Sequence, residues 1–187
     1  MANNVFSTLR TQAGDVERSS QWYQTQIRKL GRIQTTQLMR EGKLVNNIFP
    51  GEMYLFGYDP KLKDKLPFYD LFPLVLPFRK FSGGFVGLNL HYLPYLLRFR
   101  ILGFLSDYTN NEKMDETTKL NFSWRILESA SKLAPARACV RRYLNDNIQT
   151  RFLRVPFPDW IIASQLPVES FEGASKNTVW TEIRKKY

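Results

Sequence analysis

Between residues 51 and 94, three runs of aromatic and aliphatic residues are cut at close intervals by proline, glycine and aspartate. They read Gly-Glu-Met-Tyr-Leu-Phe-Gly-Tyr-Asp-Pro, Leu-Pro-Phe-Tyr-Asp-Leu-Phe-Pro-Leu-Val-Leu-Pro-Phe and Gly-Gly-Phe-Val-Gly-Leu-Asn-Leu-His-Tyr-Leu-Pro. Short apolar runs bounded by such breakers predict strands joined by tight turns. The spacing places strands at about 52–58, 71–78 and 85–90. Pro73 and Pro77 remove ladder donors from the second, which makes it an edge strand or one broken by a bulge. Gly87 marks a bulge or a close backbone approach in the third. The expected fold is α+β: a small, SH3-like antiparallel barrel or curled sheet with an N-terminal helical arm and additional helices.

The flanks read as helices. Residues 1–47 are polar and free of proline. Ser19 or Ser20 can cap a helix from about Gln21 to Arg40. Tyr23, Ile27, Leu30 and Gln34 trace only a narrow stripe on it, and arginine and lysine occupy much of the rest. Such an arm packs on a neighbouring subunit, lies along nucleic acid, or caps the chain's own sheet. Residues 48–187 then form a single α+β domain whose β core is 51–94. Pro94 opens a helix to about Ser106, with Arg98 and Arg100 on its polar side. Asp115 can cap a second helix, carrying Leu120, Trp124 and Leu127. Pro135 opens a third, carrying Cys139, Val140, Tyr143 and Leu144. Residues 149–155 alternate like a returning strand, a short helix follows at 159–164, and Ser175 caps a final helix with Val179, Trp180 and Ile183.

Composition narrows the function classes. The chain holds 27 Lys and Arg against 17 Asp and Glu, a net +10 spread along its length. A spread basic excess favours contact with a polyanion, chiefly nucleic acid, or with acidic protein neighbours. Phe, Tyr and Trp make up 14% of the residues. That is more than a small core uses, and it suits a protein that assembles with others. Cys139 and His91 are the only cysteine and histidine, so an internal disulfide is impossible and a Cys/His zinc site is not expected. The Met-Ala-Asn-Asn start lacks an apolar signal core. The apolar stretch 71–78 is too short to span a membrane. A soluble protein made in a reducing cytoplasm is expected, without a membrane partner or cofactor.

No residue pattern announces catalysis. Glu52, Asp59, Asp64 and Asp70 could suggest a magnesium nuclease, but Asp59 and Asp70 stand at turn or proline positions where aspartate serves the backbone, and no acidic pair stands in a strand at spacing two with a lysine beyond it. His91 has no visible nucleophile to act on, and a hydrogen-bonded structural role is the simpler reading. Gly83, Gly84 and Gly87 lack the lysine and hydroxyl residues of a phosphate-cradling loop. Cys139 stands between Arg137 and Arg141, which would activate an exposed thiol, yet its apolar neighbours favour burial. The candidate nucleic-acid contacts are therefore basic clusters: Arg28, Lys29 and Arg32 on the arm, Lys61, Lys63 and Lys65 in one turn, and Arg141 with Arg142. Groups so spaced sample phosphates without reading bases.

The runs at 53–94, together with Asp159-Trp160 and the segment Leu-Pro-Val-Glu-Ser-Phe-Glu-Gly-Ala from Leu166 to Ala174, resemble the DNA end protectors. These are minor virion proteins of T-even-type contractile-tailed phages and their cyanophage relatives. The resemblance implies a non-enzymatic virion component that guards the ends of packaged double-stranded DNA and helps heads join tails. Its partners would be duplex ends and other virion proteins, in a homo- or hetero-oligomer. It assigns no catalytic residue. Phosphate contacts and stacking by Tyr58, Phe68, Tyr69 or Tyr92 would serve that task, although aromatics in strands more often build cores. A purely structural baseplate, neck or tail component is the alternative, and a nuclease a third.

Overall fold

A computed structural model describes residues 4–109 and 134–186. The helix predicted at Asp115 lies outside them. The elements run α1 (Val5–Ala13), α2 (Ser20–Lys29), α3 (Thr35–Glu41), β1 (Leu44–Val45), β2 (Met53–Leu55), β3 (Tyr69–Asp70), β4 (Leu74–Phe81), β5 (Gly84–Asn89), α4 (Tyr95–Thr109), α5 (Ala134–Arg137), β6 (Val140–Leu144), β7 (Phe152–Val155), α6 (Trp160–Gln165), β8 (Phe171–Glu172) and α7 (Lys176–Arg184). Six strands form one antiparallel sheet in the order β1-β7-β2-β4-β5-β6, and β3 pairs with β8 apart from it.

Alternation sorts the strand side chains into two cores. Met53, Leu55, Leu74, Leu76, Val86, Leu88, Leu153 and Val155 face a large cluster shared with the helices. Tyr54, Phe56, Tyr58, Val75, Phe85, Tyr143 and Phe152 face the other way into a second, largely aromatic cluster. Two intervening strands separate Phe85 on β5 from Phe152 on β7. In a flat sheet their sites would lie roughly 14 Å apart, yet the ring centroids are 6.2 Å apart. The sheet is therefore bent hard around the aromatic cluster, with Phe56 in edge-on contact with Phe85, Tyr143 and Phe152. Each such pair adds about 0.5–1.5 kcal/mol beyond its buried area.

The bend does not close a barrel. A 3-10 turn at Asn145–Asn147 joins β6 to the stretch leading into β7, and an isolated bridge links Tyr58 to Ile148. β1 and β6 remain the edges of the sheet. Of the two alternatives that the prolines left for β4, an edge position or a bulge, the bulge holds: β4 is a central strand whose register shifts between Pro77 and Arg79. Residues 140–144 are a strand, not part of a helix. Val140, Tyr143 and Leu144 have helical spacing, but the free edge of β5 offers Val140–Leu144 a ladder of five paired positions.

The N-terminal segment caps the chain's own sheet. Val5, Phe6, Leu9, Tyr23, Ile27 and Leu38 all enter the large core. The single helix expected over 21–40 is two, separated at Gly31, whose φ of 78° no L side chain favours. Ser19 is the cap of α2, accepting the Trp22 N–H at 3.2 Å, and Ser175 caps α7 in the same way through Thr178.

The motif segments 89–94 and 166–170 meet in a buried polar knot. Arg98, expected on the polar side of α4, is fully buried. Its guanidinium donates to the carbonyls of Leu93 (2.6 Å), Ser164 (3.1 Å) and His91 (3.1 Å). It also faces the Glu169 carboxylate at 3.5 Å. Glu169 accepts in turn from the Tyr95 hydroxyl and from Lys176, and Trp180 donates to the His91 carbonyl. Such a fork satisfies carbonyls that a hydrophobic residue would strand.

Candidate nucleic-acid interface

The loop between β2 and β4 folds back beside β6, and a cavity of about 470 Å³ opens between them. Pro60 and the 3-10 turn Lys63–Lys65 shape the loop. Lys61, Leu62, Leu66 and Tyr69 line one side of the cavity, and Arg141, Arg142, Tyr143 and Leu144 the other, with Tyr58 and Tyr92 beneath. The fold thus brings two of the predicted basic clusters to one place, although they are far apart in sequence.

The floor is set by Asp70, which is buried. Its Oδ2 accepts from Asn89 at 3.1 Å and lies 2.8 Å from His91 Nδ1, while Oδ1 accepts the N–H groups of Phe72 and Ser170. Burial alone would push this carboxyl up. The imidazole of His91 and the donors from His91, Asn89 and Phe72 together outweigh it and hold the carboxyl below its ordinary value. Asp70 is thus spent on fixing the floor, and His91 is the structural histidine expected. Asp59 is likewise occupied, by Lys63 at 3.0 Å. Asp59 and Asp70 therefore hold different jobs.

The tyrosines are held neutral. Burial raises Tyr58, Tyr92 and Tyr143, against the opposing influence of Arg141 on the last two. Tyr58 also accepts the Leu144 N–H at 3.2 Å, tying the loop side of the cavity to β6. Arg141 lies 3.8 Å from the Tyr92 ring centroid and donates to the carbonyls of Ala138 and Val140. It is half structural. Arg142 is exposed and rests on the Phe81 ring at 4.0 Å.

The predicted contacts separate accordingly. Lys61, Arg141 and Arg142 line the cavity, and Lys65 stands exposed on the same loop. Lys63 is engaged by both oxygens of Asp59. Arg28, Lys29 and Arg32 are exposed, but α2 contributes nothing to the cavity lining and packs instead on α4 and α6. No carboxylate among the described residues lies within ion-pair distance of Lys61, Lys65 or Arg142. Of the aromatics named for stacking, Tyr58 and Tyr92 are buried and line the cavity, Tyr69 is half-exposed in its wall, and Phe68 packs on Tyr92.

Sequence reasoning passed over Leu62 and Leu66. Both are apolar and exposed, at 56% and 43%, at the cavity mouth. Their signal was present: two leucines four apart inside a lysine-rich turn, where solvation alone would select polar residues. Cys139 is buried, and burial pushes its thiol up to about 12 despite Arg141 and Arg98.

Among the described residues no helix is long and apolar enough to cross a membrane. No curated protein and no solved structure matches the chain. A family model does, that of the phage T4 terminal DNA protecting protein, over residues 3–187, and the chain belongs to that family.

Proposed function

We propose that this protein is a non-enzymatic virion component that binds and shields the ends of packaged double-stranded DNA at the head–tail junction. Family membership supports DNA-end protection. The observation that carries the reading is the convergence of Lys61 and Arg142, both exposed and without an acidic partner among the described residues, on the mouth of one aromatic-lined cavity. Cations so placed contact phosphates without regard to sequence, which is what binding any genome end demands. Lys65 and the Arg141 guanidinium extend this surface. Arg28 and Lys29 at the end of α2, with Arg32 just beyond it, form a separate basic patch suited to holding the adjoining duplex, with Lys63 a weaker contributor because of Asp59. The path β2, β4, β5, β6, 3-10 turn, β7, with the last strand returning beside β2, also supports an SH3-like connectivity for the sheet.

The test is binding of the purified chain to linear duplex DNA across a salt series, together with protection of that DNA from an exonuclease. The expected result is tight binding at low salt, a steep loss with added salt, and slowed degradation from the ends. Absence of binding at low salt would sink the reading. It would favour a structural neck, tail or baseplate component, an alternative that the exposed Leu62 and Leu66 support as docking residues.

A further inference from the structure

The cavity between the 59–70 loop and β6 has a composition that duplex phosphates alone do not explain. Phosphate-binding surfaces are polar and rich in cations. Here the lining is chiefly Tyr58, Leu62, Leu66, Tyr92 and Tyr143, and the cations Lys61 and Arg142 stand at the mouth. The buried polar side chains that line the floor, Asp70 and Asn89, are already partnered. Asp70 accepts four hydrogen bonds, and the Asn89 side chain donates to Asp70 and accepts the His91 N–H. The interior therefore asks for a flat apolar body, and the rim for an anionic edge. A single nucleotide has that division, with a base to bury and a phosphate to leave outside. The volume, about 470 Å³, is that of a site for one small ligand.

Resting on the end-binding reading above, we infer that this cavity takes one unpaired nucleotide from the frayed terminus of the duplex. Terminal pairs open far more readily than internal ones, so such a pocket recognises an end as an end, whatever its sequence. It also withdraws the strand terminus that an exonuclease must grip. Leu62 and Leu66 form the lip against which the base slides, and Tyr69 walls the entrance.

The experiment measures binding of the full chain to three DNAs: a blunt linear duplex, the same duplex with a mismatched terminal pair, and a covalently closed circle of matching composition. Each is compared with the variant Leu66→Asp, which places a charge at the mouth on an exposed position. Leu62→Asp stands in if the first variant does not fold. Wild-type protein should prefer the linear duplex to the circle. It should bind the mismatched end roughly tenfold tighter than the matched one, because one stacked step no longer has to be opened. The variant should lose that tenfold advantage while keeping salt-sensitive binding. If linear DNA is preferred but the mismatch brings no gain, or the variant keeps the gain, the terminus is held elsewhere and only the pocket assignment falls. If circle and linear DNA bind equally, end binding itself falls with it. A variant that binds all three DNAs as wild type does but fails to join virions would assign the cavity to a protein partner and overturn the inference.

Discussion

Glu169 faces Arg98 across 3.5 Å where neither side chain meets solvent appreciably. Burial by itself would push the glutamate up. The charge of Arg98, aided by His91, Tyr95 and Lys176, outweighs burial and brings it down to about 2. Asp70 is lowered as well, for the related reasons given above. A depressed carboxylate contributes stability that is present above its unfolded value and lost as pH falls through the folded one. The protein should therefore lose stability between about pH 4.5 and pH 2, with Glu169 alone accounting for roughly 3 kcal/mol. Urea unfolding at pH 7, 4 and 3 checks this. In Glu169→Gln the acid limb should flatten, and stability at pH 7 should drop by about 3–5 kcal/mol because Arg98 is left buried without its counter-charge. Parallel pH curves for the two proteins would contradict the assignment.

Two glycines should respond to alanine with opposite sign. A Cβ at Gly87 would press into Val75 Cγ1 and stand 2.9 Å from the Leu76 carbonyl oxygen, in the middle of the sheet. Gly87→Ala should cost about 1–3 kcal/mol by overpacking. Gly103 lies within α4, and among the described residues nothing stands inside 4 Å of such a Cβ. Gly103→Ala should stabilise by about 0.5–1 kcal/mol through helix propensity and a less free unfolded chain. Thermal or urea midpoints of the two variants decide it.

Native Cys139 should be inert. With its thiol pushed up to about 12 and only 1% of its surface exposed, the thiolate that reacts is scarce at pH 8 and shielded where it forms. A disulfide-exchange reagent should leave the folded protein unlabelled over hours and titrate one thiol promptly in denaturant. Rapid labelling without denaturant would show that the α5–β6 corner opens.

The basic clusters should differ in their salt signatures. Lys61→Gln with Arg142→Gln removes two exposed cations at the cavity mouth, and the slope of log K against log salt should fall by about 0.9 for each phosphate no longer neutralised. Arg28→Gln, Lys29→Gln and Arg32→Gln together should weaken binding to long duplexes more than to short end fragments, since α2 lies apart from the cavity. Arg141 is excluded from the set because its carbonyl contacts serve the fold. Equal effects of the two variants on short fragments would remove the distinction.

Much of the fold was legible in the residues. Short apolar runs bounded by proline, glycine and aspartate located β2, β4 and β5 within a few positions, and the hydroxyls of Ser19 and Ser175 marked helix starts that the structure retains. What escaped was decided by distant partners. Val140–Leu144 carries a helical spacing, and only the open edge of β5 makes it a strand. Arg98 has the charge of a surface residue, and only three carbonyls and Glu169, converging from other segments, make it a core residue. The candidate site was half visible. Charge singled out Lys61 and Arg142, but nothing local said they would share a cavity, and Leu62 and Leu66 hid among lysines.

The two walls of that cavity come from residues near 61 and near 142. β6 pairs with β5 although α4 and α5 both lie between the two strands in sequence. Pairings so far apart along the chain form late, because loop closure must precede any gain from them. A partly folded chain can hold the β4–β5 hairpin and still lack the cavity altogether. Affinity for DNA termini would then be acquired in the final step of maturation. On the proposed reading, incompletely folded copies would leave DNA ends untouched.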